Sequence, residues 1–301
     1  MFRSRKLYKL GLARTGVEVS DFTVSTVQQT AIGQVNGLSG NREHNTLSVA
    51  DTLHYMATLY VTPLQSHIQI KNAVLCDCAA GFGWLSFAFL LSGGARAILV
   101  EPHAGKLSAA RELAEILGVA DRCEFRSDLL QDLDLPDKSV DVFASVETLE
   151  HVGRANIAAA VANMDRITRQ AIILTAPNQL SPLVSHDARV PFSHWLPIAW
   201  RSGFCRIFGV RHREFNHFPT PWHLRRLRQR FQPQAKTLIF EDHRAWRDHY
   251  PVYSPYGGGV WKHAPPAWLS LYLRLTSALL GRHAYWICPN LANIWVARDL
   301  V

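Results

Sequence analysis

The chain has 301 residues, 48% of them hydrophobic and 19% charged, which is enough apolar material for a real core and excludes a disordered or fibrous chain. No apolar run approaches the roughly 20 residues that cross a bilayer, and the basic start, residues 1–7, leads into no apolar stretch of the kind a secretory leader needs. A formal charge of +8 invites an anionic partner, nucleic acid or a membrane surface.

Residues 1–45 show no sustained periodicity and read as an irregular arm. From Thr46 to about Ser66, Leu47, Ala50, Leu53, Met56 and Tyr60 recur at helical spacing. A regular alternation follows. Ala73–Asp77 is a short buried strand that breaks into the small residues Ala79, Ala80 and Gly81. Trp84–Leu91 is a helix stopped by Gly93 and Gly94. Ala97–Val100 is a second strand and Ala104–Leu117 a second helix. Arg122–Arg126 and Val140–Val146 are the third and fourth strands, then a helix over 152–167, then a fifth strand, Ala171–Thr175. Strands alternating with helices at this spacing predict a parallel, doubly wound α/β sheet covered on both faces.

Beyond Pro177 the alternation fails. Residues 178–218 are rich in Pro, His, Trp and Phe, Pro221–Phe231 resumes as a helix, and Thr237–Phe240 and Asn293–Ala297 are expected to close the sheet. The expected organisation is an arm and helix (1–70), a cofactor-binding core (71–180) and a substrate-shaping segment (181–301) with an aromatic insertion at 241–290. The five cysteines, at 76, 78, 123, 205 and 288, form neither a zinc nor a thioredoxin pattern. They read as reduced thiols of a cytoplasmic protein, with Cys76 and Cys78 on one face of their strand. Basic residues concentrate at 3–14 and 201–230. These read first as solvated faces, with a polyanion as the alternative.

In an open α/β sheet a ligand binds beyond the carboxyl ends of the strands, at the switch point beside the first strand. Asp77-Cys-Ala-Ala-Gly81-Phe-Gly83 falls there, with glycines that let a backbone approach a ligand closely. Glu101 ends the second strand, where a carboxylate can accept both hydroxyls of a ribose. Asp128, followed by Leu129, ends the third, placed to meet an adenine amino group. A nicotinamide dehydrogenase would want Gly-x-Gly-x-x-Gly, but position 86 is serine.

These segments together resemble the class I S-adenosylmethionine-dependent methyltransferases. Asp77, Gly81 and Gly83 match their first motif, with Ala79 standing where that motif has its first glycine. Val100-Glu101-Pro102, Ala144–Val152 and Leu174–Asn178 match in order, and His212–Phe215 resembles the segment after the fifth strand. The resemblance covers about 73–240 and the last strand. It implies a seven-stranded Rossmann-like sheet and a cofactor, S-adenosyl-L-methionine, held by Asp77, Ala79, Gly81, Gly83, Glu101, Asp128, Leu129 and Glu147. Alanine at 79 costs little unless φ there is strongly positive.

Methyl transfer requires an aligned acceptor, exclusion of water and, for a hydroxyl, removal of a proton. Glu147-Thr-Leu-Glu150-His151 gathers two carboxylates and an imidazole on one turn. This cluster is similar to the metal motif of ubiquinone-biosynthesis O-methyltransferases and of small-RNA 3′-terminal 2′-O-methyltransferases. That likeness implies Mg²⁺ or another divalent ion on Glu147, Glu150, His151 and His212. The metal-free alternative has Glu147 touching the cofactor and His151, beside Glu150, helping to cap the helix or acting as base. His186-Asp187 and His194-Trp195 are further pocket candidates, His186 as a base. Trp268–Leu280 is an apolar helix, expected to pack on the core, with a membrane-surface or lipid lid as the sharper reading. Three functions follow as expectations. The first is O-methylation of a small-molecule, glycan-linked or lipid-linked hydroxyl by a protein that is cytoplasmic or peripheral to a membrane. The second is RNA 2′-O-methylation, and the third a non-catalytic methyltransferase-like subunit.

Overall fold

The computed structural model describes residues 22–38, 48–184, 187–212, 216–234 and 267–301. Seven strands form one sheet in the order β3-β2-β1-β4-β5-β7-β6. They are β1 (Val74–Cys78), β2 (Arg96–Val100), β3 (Cys123–Arg126), β4 (Val140–Val146), β5 (Thr168–Thr175), β6 (Phe231–Pro233) and β7 (Asn293–Ala297). The first five are parallel, and β7 inserts antiparallel between β5 and β6. The sequence order reverses between β1 and β4, so the ligand-binding switch point lies at their carboxyl ends.

The strands alternate strictly between two apolar layers. Leu75, Leu99, Val142, Ala144, Ile173 and Ile294 face one side. There they meet α1 (Thr26–Gln34), α2 (Val49–Met56), α4 (Trp84–Leu91) and α5 (Ala104–Ile116). Cys76, Ile98, Phe143, Ile172, Leu174 and Trp295 face the other, against α6 (Ile157–Ile167) and the 3₁₀ turns of His223–Gln229. Cys76 and Cys78 share this second face as expected, and burial pushes the Cys78 thiol up to about 12 and Cys76 well up. Burial in this layer favours the neutral thiol at both positions.

Several elements depart from the sequence reading. The arm is not wholly irregular, because α1 forms over Thr26–Gln34. Ser25 caps it, its hydroxyl accepting from the Gln28 amide while the Gln28 side chain accepts from the Ser25 backbone. That reciprocal Ser-x-x-Gln pattern is legible in the sequence without any periodicity. The helix expected over 46–66 is continuous in space but not in type. After α2 it widens into a π-helical stretch, Ala57–Val61, and resumes as α3 (Thr62–Gln65) around Pro63. A proline at the start of α3 donates no hydrogen bond, which ends a regular α ladder there. The helix after β4 begins at Ile157, five residues late, because residues 147–156 are spent on the site described below. The helix expected at Pro221–Phe231 is 3₁₀ over His223–Gln229, and the sixth strand forms at Phe231–Pro233. Thr237–Phe240 and residues 241–266 of the expected insertion lie outside the described residues. No helix among the described residues is long and apolar enough to cross a membrane.

Candidate active site

The carboxyl ends of β1, β2 and β4 converge on one short loop. Beyond β1 the chain enters left-handed backbone three times, at Ala79 (φ 60°), Gly81 (φ 58°) and Gly83 (φ 83°). The alanine at 79 therefore does sit at a strongly positive φ, where an L residue is strained by about 1–2 kcal/mol. Gly83 has a second constraint. A Cβ there would come within 2.7 Å of both Leu99 and Phe87, so only glycine lets α4 pack this close to β2. A Cβ on Gly81 would meet nothing within 4 Å, so the outer face of the loop is open.

Glu101 holds the loop in place. One of its carboxylate oxygens accepts the Gly81 N–H at 2.9 Å and the other accepts the His103 N–H at 3.0 Å, in a site 5% exposed. Its first duty is thus to satisfy two backbone donors, and each oxygen retains a lone pair for a ligand hydroxyl. Asp77 is buried beneath, its Oδ2 accepting from Ser86 Oγ of α4 at 2.8 Å. Burial pushes the Asp77 carboxyl up to about 6, partly opposed by the Ser86 hydrogen bonds and reinforced by the negative charge of Glu101. Asp128 follows β3 with Oδ2 2.6 Å from Arg126 Nε, so an arginine on the strand aims it, and Leu129 beside it is exposed. Thr148 ties β4 to β1 by donating toward the Cys78 carbonyl.

Glu147 also takes a left-handed conformation, φ 51°, and its N–H donates to the Thr175 carbonyl, bracing the end of β4 against β5. Its Oε1 lies 3.3 Å from the Asn290 amide. Glu150 is fully buried as a side chain, and His151, 57% exposed, holds its Nε2 4.0 Å from Glu150 Oε1. That separation is within ion-pair range and too long for a hydrogen bond.

His212 is the sequence expectation that the geometry corrects. Its Nε2 lies 2.5 Å from Oδ1 of buried Asp187, and Arg201 Nη1 stands 3.9 Å from the other carboxylate oxygen. Burial raises the Asp187 carboxyl, against the pull of His212 and Arg201. Among the described residues no three His, Cys, Asp or Glu side chains gather as metal ligands would, so the set Glu147, Glu150, His151 and His212 does not assemble. His212 belongs to a separate cluster on the segment after β5. His186 lies outside the described residues.

That segment, which includes α7 (Ile198–Ile207), is anchored by groups that sequence reasoning missed. Arg201 is buried and donates to the carbonyls of His194, Leu196 and Asn216, so it is an internal staple rather than part of a basic surface. Arg226 and Arg230 similarly engage Asp165 of α6. His194 is buried with Nε2 2.7 Å from the Ser181 carbonyl, and burial lowers it to about 4, so the ring is held neutral and donates from Nε2. Asn178 donates to the Trp286 and Cys288 carbonyls, tying the β5 end to the C-terminal part. At the opposite edge of the sheet, Asp141 accepts from the Val74 amide, Arg169 and Gln170. An acid inside an apolar strand was the readable signal for Asp141. Asn178 carried none, since its partners are carbonyls more than 100 residues away, and Arg201 carried none because main-chain carbonyls leave no mark in a sequence.

Residues 75–171 match a family model described as a methyltransferase domain. This segment is a class I S-adenosylmethionine-dependent methyltransferase domain, and the open loop over Glu101 and Asp77 fits such a donor: a buried acid, two acceptor oxygens and a glycine-lined approach. Among solved structures the chain is similar to the YcgJ protein of Bacillus subtilis, at 20% identity over 42% of this chain and 51% of that one (TM-score 0.36). A candidate sarcosine dimethylglycine methyltransferase from Galdieria sulphuraria is 14% identical over 98% of this chain and 97% of its own (TM-score 0.47). A Haemonchus contortus phosphoethanolamine N-methyltransferase, solved with phosphoethanolamine and S-adenosylhomocysteine, is 14% identical over 51% and 31% (TM-score 0.36). The chain spans 51% of the length of YcgJ and 57% of a Pyrococcus horikoshii structure. No curated protein matches it.

Proposed function

We propose that this chain transfers a methyl group to the hydroxyl oxygen of a small-molecule, glycan-linked or lipid-linked acceptor, with His151 as the general base. One observation carries the reading. An accessible imidazole stands on the turn after β4, beside the switch point, with the buried Glu150 carboxylate 4.0 Å away. When bound, S-adenosylmethionine supplies a methyl group already activated on a cationic sulfur. Glu101, Gly81 and the buried Asp77 hold that end of the site, so the acceptor must approach from the side of the β4 and β5 ends, where His151 lies. As the acceptor oxygen forms its bond to carbon and the carbon–sulfur bond breaks, the hydroxyl proton passes to the imidazole. The Glu150 carboxylate stabilises the imidazolium that results. A positioned base of this kind contributes roughly 10²–10⁴-fold to rate.

The test follows label from methyl-labelled donor onto matched hydroxyl, amine and thiol acceptors, with wild type and His151→Ala. Transfer to the hydroxyl, lost on the order of 100-fold in the variant while S-adenosylhomocysteine affinity is unchanged, supports the reading. Transfer confined to amines, or full activity in His151→Ala, sinks it. Three of the arginines that would support RNA methylation, Arg201, Arg226 and Arg230, already hold protein partners, which makes it the second reading.

A further inference from the structure

The C-terminal helix α8 (Ala267–Leu280) is built the wrong way round for a helix that simply packs on a core. Of its large apolar side chains, Leu273 is buried, while Leu271, Leu275 and Leu279 are 56%, 54% and 82% exposed. With Trp268 they follow a spacing of three to four residues and so form a single stripe along the helix. The expectation that this helix is consumed by packing therefore fails for that face. Scattered exposed leucines are ordinary, but a contiguous row is not.

The stripe does not end with the helix. Trp268 stacks on Phe192 with ring centroids 6.4 Å apart, and Phe192 meets Trp195 at 5.0 Å. All three rings are substantially exposed. Trp195 is held by its indole N–H, which donates to the Gln179 carbonyl at 2.7 Å, while the Gln179 side chain donates to the His194 carbonyl. The aromatic end of the patch is thus pinned to the chain just past β5, on the carboxyl edge that bears the candidate active site.

The charge of these segments is mainly positive among the described residues. Residues 187–212 and 216–234 hold eight arginines against the buried Asp187, and 267–301 hold three arginines against the single Asp299, with Arg201, Arg226 and Arg230 engaged internally. Arg274 lies on the exposed side of α8 itself, and Arg189, Arg206 and Arg211 are exposed nearby in the chain. Aliphatic side chains in a row, indole rings at one end and the exposed arginines 206, 211 and 274 match the chemistry of an anionic bilayer surface. The leucines enter the acyl boundary, the indoles sit at headgroup level and the guanidinium groups meet phosphates. A nucleic acid would use the rings but has no use for three leucines in a row.

We propose that α8 and the Phe192–Trp195 loop form a docking surface for anionic phospholipid membranes, placing the mouth of the methyltransferase site against the bilayer. This docking is independent of which acceptor is methylated and of whether His151 is the base. The experiment is co-sedimentation of the full chain with vesicles of 30% phosphatidylserine in phosphatidylcholine and with pure phosphatidylcholine vesicles, at 0.1 M and 0.5 M salt. Binding to the anionic vesicles is expected, weakened by salt and by removal of phosphatidylserine. In Leu275→Ser/Leu279→Ser the partition coefficient should fall on the order of tenfold or more, since each side chain no longer leaves water on docking. Arg274→Glu should weaken anionic binding alone. Both variants should retain wild-type melting temperature and S-adenosylhomocysteine affinity, because these side chains already face solvent. Any of three results overturns the proposal: no sedimentation with anionic vesicles, equal binding by the double-serine variant, or a concentration-dependent dimer that this variant abolishes while vesicles remain unbound.

Discussion

Replacing Glu101 with glutamine changes one atom's hydrogen-bonding sense and should disable the cofactor loop. In the native arrangement both carboxylate oxygens accept, from Gly81 N–H at 2.9 Å and His103 N–H at 3.0 Å, in a site 5% exposed. Glutamine keeps the size but offers one acceptor and one donor. Whichever way the amide turns, one backbone N–H loses its acceptor and faces another donor. A hydrogen bond to a charged group contributes ~1.5–3 kcal/mol, and a buried donor left unsatisfied costs ~1–3 kcal/mol, so the variant should lose roughly 2–4 kcal/mol of stability. If about half of that loss falls on the Gly81 side, the loop is displaced where a donor must bind, and S-adenosylhomocysteine affinity should drop about 5- to 30-fold. Calorimetric titration with S-adenosylhomocysteine and urea unfolding of the unliganded protein measure the two effects separately. A Glu101→Gln protein that binds within twofold of wild type and unfolds at the same urea concentration would refute this account of the loop.

Asp77 and Ala79 make two further tests of the same loop. The folded Asp77 carboxyl sits at about 6, above the ordinary value of 3.8, because it is buried. A group that binds its proton more tightly in the fold favours folding at low pH and loses that contribution as pH rises from about 4 to about 6. Relative to Asp77→Asn, which is neutral throughout, wild type should therefore lose on the order of 3 kcal/mol of stability across that window. Parallel unfolding curves for the two proteins at pH 4 and pH 7 that keep a constant gap would contradict it. Ala79→Gly relieves the left-handed strain of about 1–2 kcal/mol and adds a smaller unfolded-state entropy cost of about 0.4–1 kcal/mol. It should raise stability by roughly 0.5–1 kcal/mol, seen as an upward shift of a few degrees in Tm. A lower Tm would show that something other than backbone strain governs position 79.

The central sheet was legible because its signals are local. Val74–Cys78, Arg96–Val100 and Val140–Val146 are short runs rich in β-branched and other apolar residues, bounded by small or polar ones, and α4 was read to the residue. The strand-end acids Asp77, Glu101 and Asp128 were legible for the same reason, since β–α connectivity brings strand ends to one edge. The strand at Phe231–Pro233 was not legible, because it is three residues long and pairs with the distant β7.

Sequence alone pointed to the kind of domain that residues 75–171 form: ordered strand-end acids and a glycine turn resemble those of class I methyltransferases, and a methyltransferase domain model matches there. Tertiary structure decided the points that depend on partners far apart in the chain. It drew His212 to Asp187 and away from Glu150, buried Arg201 as a staple, put Ala79 in left-handed backbone, and turned the leucines of α8 outward. The physical reason is one of range. Strand and helix periodicity reports which face is apolar, but whether a given imidazole, arginine or leucine is covered depends on which distant segment arrives to cover it.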